Sequence, residues 1–211
     1  MKRLVDYSLY LVTDRGLARG RTTGDIVRAA VAGGVTCVQL REKDCPTREF
    51  IAEARLLKEI LRPAGIPFII NDRLDVALAV GADGVHLGQQ DMDIADARRL
   101  AGPEFVIGIS AESLEDALRA EAQGADYIAI SPVFATATKN DTALPLGLDG
   151  IRRIRAAVRL PLVAIGGITT DNAAAVIAAG ADGVAVVSAI VAADSPQRAA
   201  AALKKCLRLS R

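Results

Sequence analysis

The chain has no tryptophan, and aromatic residues make up only 3% of its 211 positions. Its core must therefore be Ala, Val, Ile and Leu. With 51% hydrophobic residues, that suits buried parallel strands covered by alanine-rich helices. An excess of either charge is also missing: 26 Lys and Arg stand against 25 Asp and Glu, a net +1. Such a balance leaves no electrostatic footprint for a nucleic acid or a membrane surface. Cysteine is scarce, and Cys37, Cys45 and Cys206 form neither a disulfide framework nor a zinc spacing. A reducing cytoplasm is the expected compartment. Asp6 breaks the apolar run behind the basic start, so no secretory leader is expected. The stretch most like a membrane span, 173–193, carries Asp182 near its middle, flanked by Gly180 and Gly183. A central charge is costly in a bilayer, so it reads as helix, turn and buried strand. His86 is the sole histidine, and no Cys–His or Ser–His constellation is readable.

What is present is an alternation of short apolar runs with helical segments. Strands are predicted at 8–12, 35–40, 68–70, 85–87, 105–109, 127–131, 162–165 and 183–187. Helices are predicted at 23–32, 47–61, 74–80, 93–101, 113–122, 148–158, 171–179 and 195–207, most closed by glycine. A small-residue stop recurs before a strand: Gly33-Gly34, Gly81-Ala82-Asp83, Gly124-Ala125-Asp126 and Gly180-Ala181-Asp182. The spacing corresponds to two strand–helix units per step, a duplicated plan. Together these features predict one α/β domain over 1–211, a single (β/α)8 barrel. An open doubly wound sheet lacks support, because no Gly-x-Gly-x-x-Gly follows the first strand.

In such a barrel the chemistry sits where the strands end. The segment 67–91 reads as strand, helix, strand, so Asn71, Asp72 and Asp91 meet on one rim. Two carboxylates and an amide oxygen form a hard oxygen set suited to Mg²⁺ beside a phosphorylated substrate. The alternative is that each Asp caps the helix after it. Arg41 and Lys43 follow the second strand and can bind phosphoryl oxygens, Arg as a fork and Lys as a point charge. Gln39 ends an apolar strand, where an amide needs a partner. Gly166-Gly167 and Val187-Ser188 end the seventh and eighth strands, the usual phosphate cradle of the fold. The long loop 132–145 offers a second anion site in Thr136, Thr138 and Lys139. His86 lies inside the fourth strand on the face opposite Val85 and Leu87. It reads as a hydrogen-bonded structural residue inside the barrel rather than a general base.

Taken together, Gln39-Leu-Arg-Glu-Lys43, Asn71-Asp72, Gly88-Gln-Gln-Asp91, Gly108-Ile-Ser110, Thr136-Ala-Thr-Lys139, Ile165-Gly-Gly-Ile168 and Val187-Ser188 resemble the thiamine phosphate synthase family. The resemblance runs from about Leu9 to Ile190. It implies a Mg²⁺-dependent transferase that joins a hydroxymethylpyrimidine diphosphate to a thiazole phosphate and releases pyrophosphate. By motif, Gln39, Arg41, Lys43, Asn71, Ser110 and Lys139 would bind the pyrimidine diphosphate, with Arg41, Lys43, Ser110 and Lys139 as the catalytic group. Asp72 and Asp91 would hold the metal. Thr136, Thr138, Gly167, Val187 and Ser188 would bind the thiazole phosphate. The family is thought to ionise the diphosphate first, and the thiazole nitrogen has no proton to lose, so no general base is implied. The strand-six end reads Ile-Ser-Pro where many relatives carry Gly before Pro. A homo-oligomer is compatible with the resemblance. Three other readings remain: a sugar-phosphate epimerase or isomerase using His86 with Asp14 or Glu42, a thiazole tautomerase, and a non-catalytic ligand-binding protein.

Overall fold

The computed structural model describes residues 4–136 and 144–208. Eight parallel strands close in chain order: β1 (Leu9–Val12), β2 (Cys37–Leu40), β3 (Phe68–Asn71), β4 (Gly84–Leu87), β5 (Val106–Ala111), β6 (Tyr127–Ile130), β7 (Leu162–Ile165) and β8 (Gly183–Val186). β8 returns to β1 with Leu9 opposite Val184. Among the described residues the α-helices are α1 (Thr23–Ala32), α2 (Thr47–Leu61), α3 (Leu74–Val80), α4 (Ile94–Ala101), α5 (Leu114–Ala122), α6 (Gly147–Ala157), α7 (Ala173–Ala178), α8 (Ser188–Val191) and α9 (Pro196–Arg208). The (β/α)8 barrel expected from the sequence is thus the observed architecture. No helix among the described residues is long and apolar enough to cross a membrane.

Three details differ from the expectation. β5 runs on to Ala111 because Ser110 and Ala111 pair with Ala129 and Ile130. Ser110 is therefore in the strand rather than after it. β2 begins at Cys37, two residues later than expected. A short helix, α8, follows β8 where only a strand end and a distant final helix were expected.

The strand period of two divides the core. Leu11, Val38, Leu40, Phe68, Ile70, Val85, Leu87 and Ile128 face outward into the helical layer and are buried there. Tyr10, Cys37, Ile69, Val106, Tyr127, Val163 and Ala185 face inward and form a second cluster, with Tyr7 below them. The Tyr7 and Tyr127 rings lie 4.5 Å apart. Room for Tyr127 comes from Gly108, whose added Cβ would lie only 2.1 Å from the tyrosine Cζ. Gly108→Ala is expected to lower unfolding stability by about 1–3 kcal/mol, the cost of overpacking a filled core. Chemical denaturation measures it, and an unchanged midpoint would contradict this packing.

The recurring small-residue stop has a structural explanation. Asp83, Asp126 and Asp182 each accept a hydrogen bond at 2.8 Å, from the N–H of Phe68, Ile107 and Leu162 respectively. Each also donates its own N–H back to that residue's carbonyl. Thr36 repeats the arrangement on Leu9, accepting at 3.0 Å and donating back. The starts of β1, β3, β5 and β7 are thus tied down by the same device. It lies at the amino ends of the strands, so the repeated motif belongs to stability and leaves the opposite rim free for chemistry.

Candidate active site

The carboxyl ends of the strands surround a cavity of about 510 Å³. Gln39, Arg41, Lys43, Asn71, Asp72, Asp91, Ser110, Thr136, Gly167, Val187 and Ser188 all line it. Thr138 and Lys139 lie outside the described residues.

On the β2 side, Gln39 shares the inward face with Cys37, paired between Val12 and Ile69. The Arg41 N–H donates to Thr13 Oγ1 at 3.1 Å, and its guanidinium meets Asp14 Oδ2 at 3.1 Å. Lys43 Nζ donates to Asp72 Oδ2 at 2.7 Å. This pair is half open to water, with the lysine side chain 51% exposed. Such pairs contribute roughly 0–1 kcal/mol and exchange readily for a stronger anion.

β3 ends on Asn71, which is buried, and its Nδ2 has no hydrogen-bond partner among the described residues. A buried amide N–H without a partner is costly, and this one belongs to a residue in the cavity wall. Asp72 follows with φ +61°, a left-handed conformation uncommon for a residue with a Cβ. Its N–H donates to the His86 carbonyl at 2.8 Å, fixing the turn. Neither aspartate caps a helix. α3 begins after Arg73 with no side-chain cap, and α4 is capped by Asp93, which accepts from the Ala95 N–H. Asp91 instead accepts the Gly88 N–H at 2.7 Å. Burial, and then the neighbouring Asp72 carboxylate, push the Asp91 carboxyl above its ordinary range, while the Gly88 N–H acts the other way. Two carboxylates held that closely fit a hard divalent cation. Mg²⁺ typically takes one or two carboxylates and completes its octahedron with substrate phosphate and water.

Across the barrel, Gly166 and Gly167 both have positive φ, +103° and +64°. A Cβ on Gly167 would lie 2.7 Å from the Ala135 carbonyl and 2.8 Å from the Phe134 Cβ. Asn172 Nδ2 donates to the Gly167 carbonyl at 2.9 Å and sets that peptide plane. Val187 enters α8 without a side-chain cap. The Ile190 and Val191 N–H groups both donate to the Val187 carbonyl, at 3.1 and 2.9 Å, so within α8 only the N–H groups of Ser188 and Ala189 lie ahead of the first intrahelical bonds.

His86 lies inside the barrel, as its alternation predicted, with Nδ1 3.0 Å from Tyr127 Oη and Nε2 3.0 Å from Ser110 Oγ. The carboxylates suggested as its acid–base partners are engaged elsewhere. Asp14 is with Arg41 and the Leu17 N–H, and Glu42 is with Arg15. Sequence reasoning missed Tyr10, Gln89 and Glu112, which also line the cavity. Tyr10 was signalled by sharing the inward face with Val12, and Gln89 by lying within the Gly88–Asp91 motif.

A family model described as thiamine monophosphate synthase matches residues 9–190. The chain belongs to that family. The thiamine-phosphate synthase of Albidiferax ferrireducens is 58% identical over 205 residues, covering 97% of this chain and 94% of that protein. That of Chloroflexus aurantiacus is 56% identical over 201 residues, covering 95% and 93%. A solved thiamine phosphate pyrophosphorylase from Pyrococcus furiosus matches with TM-score 0.90 at 42% identity, covering 97% of each chain. Membership in the thiamine monophosphate synthase family makes the chain a transferase acting on small molecules in thiamine biosynthesis. The family's motifs, where they fall on described residues, all reach one rim of this barrel.

Proposed function

We propose that the cavity joins a hydroxymethylpyrimidine diphosphate to a thiazole phosphate, forming thiamine phosphate and releasing pyrophosphate, by Mg²⁺-assisted ionisation. The observation that carries this reading is the wall made by Asn71, Asp72, Asp91, Arg41 and Lys43: an unpartnered buried donor, two close carboxylates and two cations. Asp72 and Asp91 would hold the metal, whose chemistry when bound is to neutralise charge on the leaving diphosphate. Arg41 and Lys43 add fixed positive charge on the same group, and Asn71 donates to it. The Gly166–Gly167 turn and Val187–Ser188 hold the thiazole phosphate on the far wall, which positions the ring nitrogen toward the reacting carbon. That nitrogen carries no proton, so the attack requires no base. A tautomerase reading would keep the cradle but has no use for the carboxylate pair, and neither carboxylate serves as a cap.

The test is pyrophosphate release from the two purified substrates with and without Mg²⁺. Release that is equally fast in EDTA would remove the metal from this account. A second measurement addresses the base. His86→Asn is expected to lose about tenfold or less, well short of the roughly 10²–10⁴-fold that general acid–base catalysis supplies. A loss of the larger size with substrate binding intact would make His86 the base and sink the ionisation-first reading.

A further inference from the structure

Four hydrogen bonds cross the barrel at the cavity floor and join two of its walls. Gln39 Nε2 donates to Tyr10 Oη at 2.9 Å. Tyr10 Oη lies 3.0 Å from Tyr127 Oη, and Tyr127 Oη lies 3.0 Å from His86 Nδ1. His86 Nε2 lies 3.0 Å from Ser110 Oγ. Tyr10, Tyr127, Gln39 and His86 are all buried, so water does not readily substitute for a missing partner. Burial pushes both phenols well above their ordinary range, and each keeps its one proton at neutral pH.

If every hydroxyl and the neutral imidazole pass their one proton to the next member, two one-way arrangements use every bond. In the first, Gln39 donates to Tyr10, Tyr10 to Tyr127, Tyr127 to His86 Nδ1, and His86 Nε2–H to Ser110. The Gln39 oxygen and the Ser110 proton then face the cavity. In the second, every bond reverses, and Gln39 shows its amide protons while Ser110 shows lone pairs. In either one-way arrangement the two ends are opposite. The Gln39 amide orientation corresponds to the first arrangement. The Cys37 thiol also touches Tyr10, but burial keeps it protonated, and a thiol sulfur is a weak acceptor that does not displace the phenol.

We propose that Tyr10, Tyr127 and His86 form a one-way hydrogen-bond relay, with neutral His86 protonated on Nε2, that presents Ser110 to the cavity as a donor and Gln39 as an acceptor. The three are positioning residues. The relay gives the floor a fixed donor–acceptor polarity that suits a heteroaromatic ring bearing both an N–H donor and a ring-nitrogen acceptor. Its assignment to the pyrimidine rests on the proposed function above.

Because His86 is the sole histidine, long-range ¹H–¹⁵N correlation on the ¹⁵N-histidine-labelled full chain reads its tautomer without overlap. The wild type without substrates is expected to show a single neutral imidazole protonated on Nε2. Tyr127→Phe removes the donor to Nδ1, and the single tautomer is expected to be lost. The same variant should lower kcat/KM for the pyrimidine diphosphate about tenfold, the worth of one or two buried hydrogen bonds. The KM for the thiazole phosphate should stay within about twofold. Tyr10→Phe leaves the Tyr127–His86–Ser110 arc whole and should keep the wild-type tautomer while weakening the pyrimidine substrate alone. A wild-type Nδ1–H tautomer or an imidazolium would overturn the relay. So would a tautomer indifferent to Tyr127→Phe, or equal losses for both substrates. If Tyr127→Phe does not fold, the wild-type spectrum and Tyr10→Phe decide. A wild type that releases no pyrophosphate would end the proposed function, while the tautomer would still decide the relay.

Discussion

Asp72→Ala and Asp91→Ala are each expected to lower turnover by about 10²- to 10³-fold, comparable to removing a principal stabiliser of developing charge. Both side chains sit on the rim and neither caps a helix, so the barrel should survive. Circular dichroism and a Tm near the wild-type value check that. Mg²⁺ alone gives an independent readout. Burial and Asp72 raise the Asp91 carboxyl above its unfolded value, so Asp91 favours folding below its unfolded pKa. That contribution is lost as pH rises through the folded value. A cation held by these carboxylates would offset this loss, so under the proposed metal assignment Mg²⁺ should raise Tm at neutral pH and do little once Asp91 is protonated. The Asp91→Ala variant should show no such pH-dependent gain. Variants that keep near-normal turnover in EDTA would defeat the metal assignment.

Gly167→Val is expected to raise the KM for the thiazole phosphate about tenfold or more, with a smaller effect on the pyrimidine diphosphate. The backbone there has φ +64°, which costs a β-branched residue roughly 1–2 kcal/mol. The new Cβ would also press on the Ala135 carbonyl and the Phe134 Cβ, so the turn must move. That displacement would disturb the amides proposed to hold the phosphate, and with them the Asn172 hydrogen bond to the Gly167 carbonyl. The wall formed by Asp72 and Asp91 lies across the barrel and need not follow. Separate KM values for the two substrates decide the matter, and equal changes in both would count against the cradle.

The eight strands were legible because apolar runs end on punctuating glycines, and the polar residues fall just after them. α8 was not. Val187 to Val191 continues the apolar, β-branched character of β8, and four residues are too few to show a helical period. Ser110 reads from the sequence as following its strand and lines the cavity, but the strand runs through it because the pairing with Ala129 is set by β6 and not by local sequence. The Gly-Ala-Asp repeat was visible as a repeat, yet its reason is a contact with the start of the preceding strand in sequence. The link from Tyr10 to Tyr127 spans 117 positions and depends on Gly108 leaving room for a ring, which no local pattern encodes. The non-helical turn at Asp72 was likewise hidden, since Asp before a helix normally reads as a cap.

The three tyrosines are the chain's complete set, and with no tryptophan they carry nearly all of its near-ultraviolet signal. All three sit inside the barrel, and burial drives each phenol above its ordinary value. A folded molecule in alkali therefore stays colourless at the phenolate wavelength, while an opened one ionises near the free value of about 10. The linkage has one sign: the raised phenols favour folding below pH about 10 and lose that contribution as pH climbs toward their folded values. Phenolate absorbance during an alkaline titration is thus a built-in optical gauge of barrel opening, with no surface ring to blur it.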